Sequence, residues 1–328
     1  MDRARRILEG APQELRNTPQ LPDGRPTWVL LPEMAFTGYN FTDITDIYPL
    51  LEPTKSGPST QWAESIATKY KWFVTVGYPE IATSRDGQPV YFNSSVTVSP
   101  NGSVVAHYRK SFLYYTDETW ASEGEIGDSP DGTKAGFFAE HIEGLGNVSM
   151  GICMDINPYQ FIAPFNDYEF ANHVLNKKSD TVVVNMSWLT RLLPQELQHF
   201  PLRPDTEQFH YWIERFHPLI EATARNPGKS VVVACANRCG VEGGACYSGS
   251  SCVMLFQDGQ VLVHDILGKL QEKCLVADIT KVRERYCCIT TVDRNDEPLI
   301  IPLATKVWAR TGDECYWPWN INMMVVVD

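Results

Sequence analysis

Eight short runs rich in β-branched residues recur along the chain, each bounded by Gly, Asn, Asp or Pro. They begin at Trp28, Trp72, Val90, Val104, Val148, Thr181, Ser230 and Ser251, and runs of this kind read as strands. Asp258-Gly259 between Val253-Met-Leu-Phe and Val261-Leu-Val is a hairpin signal, and Pro100-Asn101-Gly102 marks a second hairpin. Helical periodicity separates other runs. Trp62, Ile66 and Tyr70, with Ala63 and Ala67 beside them, form one apolar face that Ser59 or Thr60 can cap. Phe209, Trp212, Ile213, Phe216, Leu219 and Ile220 form another, with a bend expected at Pro218. Strands that alternate with helices, together with hairpins, predict an α/β layer protein with mixed sheets. Neither a linker-like composition break nor an internal repeat interrupts the 328 residues, so 1–328 reads as a single domain.

Charge and cysteine usage narrow the classes of function. Lys and Arg number 28 against 40 Asp and Glu, a formal net charge of −12. Such a surface repels phosphate backbones, so no nucleic-acid partner is expected. No apolar run approaches the roughly 18 residues that cross a bilayer, and Met1-Asp-Arg-Ala-Arg-Arg is not a signal peptide. The nine cysteines are odd in number and scattered, which reads as a reduced protein of the cytoplasm or nucleus with no membrane association. Cys235, Cys239 and Cys246 lack a second compact Cys/His pair, so no metal is expected there. Sequons at Asn40, Asn93, Asn101, Asn147 and Asn185 fall in or beside several of the strand-like runs and read as chance.

Three segments carry residues capable of chemistry. In Leu30-Leu31-Pro32-Glu33-Met34-Ala35-Phe36-Thr37-Gly38-Tyr39 a carboxylate follows an apolar strand directly, where open α/β sheets bind ligands. A surface Glu ending a strand fits the same pattern. In Tyr108-Arg109-Lys110-Ser111-Phe112-Leu113-Tyr114-Tyr115-Thr116-Asp117-Glu118 a lysine ends a strand, and Glu118 follows eight residues later in an aromatic loop. Lys and Glu in a loop are usually solvated, but aromatic surroundings desolvate them. In Val148-Ser149-Met150-Gly151-Ile152-Cys153-Met154-Asp155-Ile156-Asn157 a small apolar strand delivers a cysteine into a polar turn. That layout exposes a nucleophile and aims backbone N–H groups at an oxyanion, although a cysteine in an apolar strand can equally be core packing.

The order Pro-Glu, Arg-Lys, Gly-Ile-Cys-x-Asp resembles the nitrilase, or carbon–nitrogen hydrolase, superfamily, and the similarity runs from about Arg3 to Ile279. It continues through Asn237-Arg238-Cys239-Gly240-Val241-Glu242 and Gly249-Ser250-Ser251. The resemblance implies a nitrilase-like α-β-β-α sandwich of two mixed sheets. It also implies Glu33 as general base, Lys110 as oxyanion stabiliser, Cys153 as nucleophile and Glu118 as auxiliary acid. The residues flanking these motifs look like the fungal-type N-terminal amidase branch. Its members remove ammonia from N-terminal Asn or Gln of proteins and so feed an N-terminal degradation signal. Protein or peptide N-termini are then the expected substrates, with Met154, Asp155, Asp117, Tyr39 and Trp188 as candidate binding residues. Asp155 is the first choice for the substrate α-amine and Asp117 the reserve.

The chemistry fits these residue types. A carboxamide is a poor electrophile that a thiolate attacks better than water, and neither metal nor organic cofactor is required. Two departures from the family pattern stand out. Asn157 occupies the place of an Arg common in relatives, and Met1 opens directly into a helix-like segment, so the family's first strand is expected to be absent. A missing strand predicts unpaired backbone on its neighbour. An amidase of free small amides, of ω-amidase or carbamoylase type, and an inactive binding homologue remain as alternatives.

Overall fold

The computed structural model describes residues 1–13, 16, 26–124, 136–279, 287–288 and 322–326. Cys315 and the side chains of Cys287 and Cys288 lie outside that description. Two seven-stranded mixed sheets face each other. The first contains β1 (Thr27–Leu30), β2 (Phe73–Thr83), β3 (Pro89–Val98) and β4 (Val104–Arg109). The second contains β5 (Phe138–Ile142), β6 (Gly146–Ile152), β7 (Thr181–Met186), β8 (Ser230–Asn237), β11 (Cys252–Gln257), β12 (Gln260–Ile266) and β14 (Cys287–Cys288). Between β8 and β11 the chain makes a small separate hairpin, β9 (Cys239–Glu242) and β10 (Ala245–Ser248).

Alternation along β1 shows why the sheets stack. Trp28 and Leu30 enter the core between the sheets, whereas Val29 and Leu31 pack outward under α1 (Asp2–Glu9) and α2 (Pro58–Tyr70). On the far side, Phe170 of α3 (Glu169–Asn176), Phe209 and Trp212 of α4 (Thr206–Arg215) and Leu219 of α5 (His217–Arg225) join the core of the second sheet. The layers are therefore helix, sheet, sheet, helix, as the family resemblance implied. Asp258 and Gly259, at φ of 50° and 74°, turn β11 into β12, and Pro100-Asn101-Gly102 turns β3 into β4.

Three local expectations change. Gly57 caps α2 and Pro58 begins it, while Ser59 instead donates backbone and side-chain hydrogen bonds to Glu52 at 2.8 and 2.6 Å. The apolar face around Pro218 is two helices broken at Phe216, not one bent helix. The chain does begin with a helix, but the flank of β1 is not bare. Strand β15 (Asn322–Val326) lies parallel to β1, with Trp28 opposite Met323 and Leu30 opposite Val325, and antiparallel to β13 (Cys274–Asp278). Met323 and Val325 are fully buried. The far end of the chain thus closes the ladder that the missing strand was expected to leave open.

Candidate active site

The site lies where β1, β4 and β6 end and deliver Glu33, Lys110 and Cys153. After β1 the chain turns sharply through Met34, whose φ of 50° is left-handed. Gly77 of β2 permits this turn: a Cβ there would come within 2.9 Å of the Glu33 Cα. The β9–β10 hairpin holds the loop from the other side. Glu242 accepts hydrogen bonds from the Tyr39 and Asn40 backbone N–H groups at 3.0 and 3.1 Å, and Arg238 donates to the Met34 carbonyl at 2.7 Å. Gly38, at φ 85°, lets Glu242 approach, because a Cβ there would sit 2.5 Å from its Oε1.

Lys110 has no exposed surface. Its Nζ donates to Glu33 Oε1 and to Asp117 Oδ2, each at 2.6 Å, and both carboxylates are equally buried. Asn93 of β3 donates from Nδ2 to Glu33 Oε1 at 2.7 Å and to Asp117 Oδ1 at 3.0 Å. Tyr39 Oη and the Tyr114 backbone N–H complete the shell of Asp117 at 3.1 and 3.0 Å. Glu33 Oε2 is buried and unpartnered. Burial raises the Glu33 carboxyl, Lys110 opposes that shift and Asp117 adds to it. Burial alone depresses the Lys110 ammonium, but Asp117 and then Glu33 outweigh it and hold the charge well above the usual lysine range. The result is a buried ammonium held between two buried carboxyl groups.

Cys153 stands at the end of β6 with φ 44°, a left-handed backbone rare for a residue with a Cβ. Burial pushes its thiol well above the usual range, Glu33 adds to the shift, and Lys110 and a backbone hydrogen bond from Ser187 oppose it. Asp155 fixes the turn. It accepts from the backbone N–H groups of Ile152 at 2.7 Å, Phe112 at 2.8 Å and Ser111 at 3.2 Å, and from Tyr108 Oη at 2.8 Å. Burial raises it to about 6 despite these donors.

The structure therefore brings Glu33, Lys110 and Cys153 together and redistributes the other expected residues. Asp117, not Glu118, is the carboxylate on Lys110; Glu118 is exposed, because the short 3₁₀ turn at Asp117–Thr119 points one acid inward and its neighbour outward. Each Asp155 oxygen already accepts two hydrogen bonds within the elbow, whereas Asp117 is engaged by Lys110, Tyr39 and Tyr114 through Oδ2 and by Asn93 through Oδ1. Tyr39 is buried with its hydroxyl on Asp117 and its ring 5.6 Å from Lys110 Nζ. Met154 follows Cys153 in the buried turn. Trp188, half-buried, follows Ser187; its Nε1 donates to Gln208 at 2.9 Å and its ring lies 5.7 Å from that of Tyr211. Asn157, at the departure from the family's Arg, accepts from Tyr211 Oη at 2.7 Å.

Asn93 was not singled out by motif. Its only signal was a polar residue inside an apolar run, and two sequons, Asn93 and Asn185, proved to be buried strand residues. Among the described residues, no group of three His, Cys, Asp or Glu side chains could hold a metal ion, and no helix is long and apolar enough to cross a membrane.

Two facing mixed sheets with a Glu–Lys–Cys constellation at their ends define a carbon–nitrogen hydrolase, and the family model described as carbon-nitrogen hydrolase matches residues 28–161. The chain belongs to that family. It is 34% identical over 270 residues to the protein N-terminal amidase of Schizosaccharomyces pombe, covering 77% of this chain and 87% of that protein. It is also 34% identical over 177 residues to the protein N-terminal amidase of Saccharomyces cerevisiae, where the match spans 50% of this chain but 37% of the relative. The fold matches a crystal structure of an N-terminal amidase with a Gln-Val peptide at a TM-score of 0.66 and 21% identity, over 82% of this chain and 90% of that one. A crystal structure of an N-terminal amidase with an Asn-Glu peptide matches at a TM-score of 0.66 and 22% identity over the same shares.

Proposed function

We propose that this chain is a protein N-terminal amidase, which removes ammonia from the side-chain amide of an N-terminal Asn or Gln and leaves Asp or Glu as the first residue. The observation that carries the reading is the buried Glu33–Lys110–Asp117 cluster beside Cys153, with Glu33 Oε2 unpartnered. The choice of substrate is supported by the Schizosaccharomyces pombe relative, which this chain matches over 87% of its length.

Each group has a role its surroundings support. A thiol whose ionisation burial disfavours reacts when its proton leaves as the sulfur attacks. Glu33, raised toward neutrality, is the acceptor for that proton. Lys110, locked in the charged state, stabilises the oxyanion together with the Met154 backbone N–H. Asp117 and Asn93 are positioning residues: they orient the ammonium and hold Glu33 Oε1, so that Oε2 is left to act. Protonated Glu33 passes its proton to the leaving ammonia and a thioester remains on Cys153. Glu33 then takes a proton from water, the hydroxide equivalent attacks the thioester, and the acid product leaves with the thiol restored. The substrate is the N-terminus of a protein or peptide in the cytoplasm or nucleus, and its conversion creates an N-terminal degradation signal.

A panel of peptides that differ only at residue one tests this. Asn- and Gln-peptides should gain the mass of deamidation, while N-acetylated Asn-peptides and peptides with internal Asn should not. Equal rates on free and acetylated peptides, or turnover restricted to free small amides, would replace this reading with a small-amide amidase.

A further inference from the structure

Base and nucleophile reach the site from different sheets. Glu33 follows β1 of the first sheet, whereas Cys153 follows β6 of the second. A proton passes between a carboxylate oxygen and a sulfur only within hydrogen-bond reach, so the rate depends on how the turn around Glu33 is tied to the opposite sheet. Side chains at the ends of β7 and β8 supply such ties, and they meet backbone carbonyls of that turn. Asn185 of β7, buried, donates to the Leu31 carbonyl and accepts from Ser95 Oγ at 2.9 Å. Ser187, just after β7, donates from Oγ to the Glu33 carbonyl at 3.2 Å, and its backbone N–H reaches the Cys153 sulfur. Arg238, just after β8, donates from Nη2 to the Glu33 carbonyl at 3.3 Å and to the Met34 carbonyl at 2.7 Å.

Arg238 differs from the other two in what it spans. The Glu33 and Met34 carbonyls belong to the peptide units on either side of the Met34 Cα, so one guanidinium grips both ends of the residue whose φ of 50° is left-handed. Such a backbone at a residue with a Cβ persists only where its surroundings impose it. Gly77 leaves room for the turn, but room alone does not hold it. Arg238 is itself fixed to the second sheet. Its backbone N–H donates to the Met186 carbonyl at 3.0 Å, its carbonyl accepts from the Gly249 N–H at 3.1 Å, and its Nε reaches Ser187 Oγ at 3.5 Å. A planar guanidinium presents its donors in a fixed fork and can meet several acceptors at once, as an ammonium on a flexible stem cannot.

We propose that Arg238 is a positioning residue for the general base: it locks the Met34 turn against the sheet that carries Cys153 and so keeps Glu33 Oε2 within reach of the sulfur. The inference rests on the N-terminal amidase reading, through the proton-accepting role of Glu33, and gives a task to a cation that the reaction scheme leaves unused. Arg238 holds the main chain of the base. Its influence therefore falls on the steps in which Glu33 moves a proton, and peptide binding is left alone.

The test measures kcat and KM for deamidation of one Asn-peptide by the unmutated protein, Arg238→Met and Arg238→Lys, with kcat expressed per folded molecule from each melting curve. Arg238→Met should lower kcat by roughly ten- to a hundredfold, the scale of a misplacement of reacting groups by about 1 Å, with KM within about twofold. Arg238→Lys keeps the bulk and the charge but loses the fork. Its kcat should fall between those of the other two at an unchanged KM, and it keeps the test open where the Met variant does not fold. A full kcat in Arg238→Lys or in folded Arg238→Met would overturn the proposal while leaving N-terminal deamidation intact. A loss confined to KM would do the same, because it marks a substrate contact. An unmutated protein that deamidates no Asn- or Gln-peptide would remove the function on which the inference rests, and the inference with it.

Discussion

Replacing Lys110 by Met exposes how the site is held. The side chain is fully buried, and its Nζ is the shared partner of Glu33 and Asp117 at 2.6 Å each. Met fills similar space without charge, so the change leaves two carboxylates in a dry cavity with only the Asn93 amide bridging them. Removing one partner from a buried ion pair costs about 3–5 kcal/mol, because the other charge is left uncompensated. The loss must depend on pH. Glu33 is already raised by burial, and without Lys110 it rises further above its unfolded value. The folded variant then holds a proton that the unfolded chain has released. Its destabilisation is greatest at high pH and shrinks as pH falls toward the unfolded carboxyl range near about 4.3. Urea unfolding of both proteins at about pH 8 and about pH 5.5 reads this directly, with a gap of about 3–5 kcal/mol at the higher pH and a clearly smaller one at the lower. A loss below about 1 kcal/mol, or one equal at both pH values, would refute a charged lysine holding the Glu33 and Asp117 side chains together.

Three further outcomes follow from particular contacts. Asp117→Asn should lower kcat/KM by about a hundredfold or more, the scale of losing preorganised charge in a dry site, whereas Glu118→Gln on the exposed side of the same turn should stay within about twofold; peptide deamidation rates decide between them. Glu80, held below the usual carboxylate range against its own burial by His107, Arg109 and Ser94, stabilises the fold above the unfolded carboxyl pKa, and that stability is lost as pH falls. The melting temperatures of the unmutated protein and Glu80→Gln should therefore differ at neutral pH and converge below about pH 4. Deleting the chain from residue 322 onward removes two fully buried side chains, Met323 and Val325, worth about 1.5–3 kcal/mol each, and a Tm unchanged by that deletion would show that β15 does not support β1.

The sequence revealed most where function and structure are both local. Glu33, Lys110 and Cys153 each sit where a strand-like run meets a turn, and the three strands end at one place. The Asp258-Gly259 turn carried its hairpin because φ > 0 at two adjacent positions is a strong local demand, and at Asn101-Gly102 the glycine alone takes a positive φ, of 88°. Neighbouring acids were harder. Asp117 and Glu118 differ only in the phase of one 3₁₀ turn, and that phase is set by what Lys110, Tyr39 and Asn93 offer across the site. Asp155 looked free beside the nucleophile because its four donors come from two separate segments, Tyr108–Phe112 and Ile152. Strand β15 pairs with a partner almost 300 residues earlier, and no local pattern states such a pairing. Asn93 belongs to the same class: its strand was legible, while its two carboxylate partners come from the turn after β1 and from the loop after β4.

The central claim is that Cys153 attacks the carboxamide of an N-terminal residue and carries it as a thioester. Acid quenching of the protein during turnover of an Asn-peptide, followed by proteolysis and mass spectrometry, tests it most directly. The account predicts a peptide adduct lacking the elements of ammonia on the fragment that contains Cys153, absent with an acetylated peptide, and no turnover by Cys153→Ala. Deamidation that proceeds in Cys153→Ala, or an adduct on another cysteine, would contradict it.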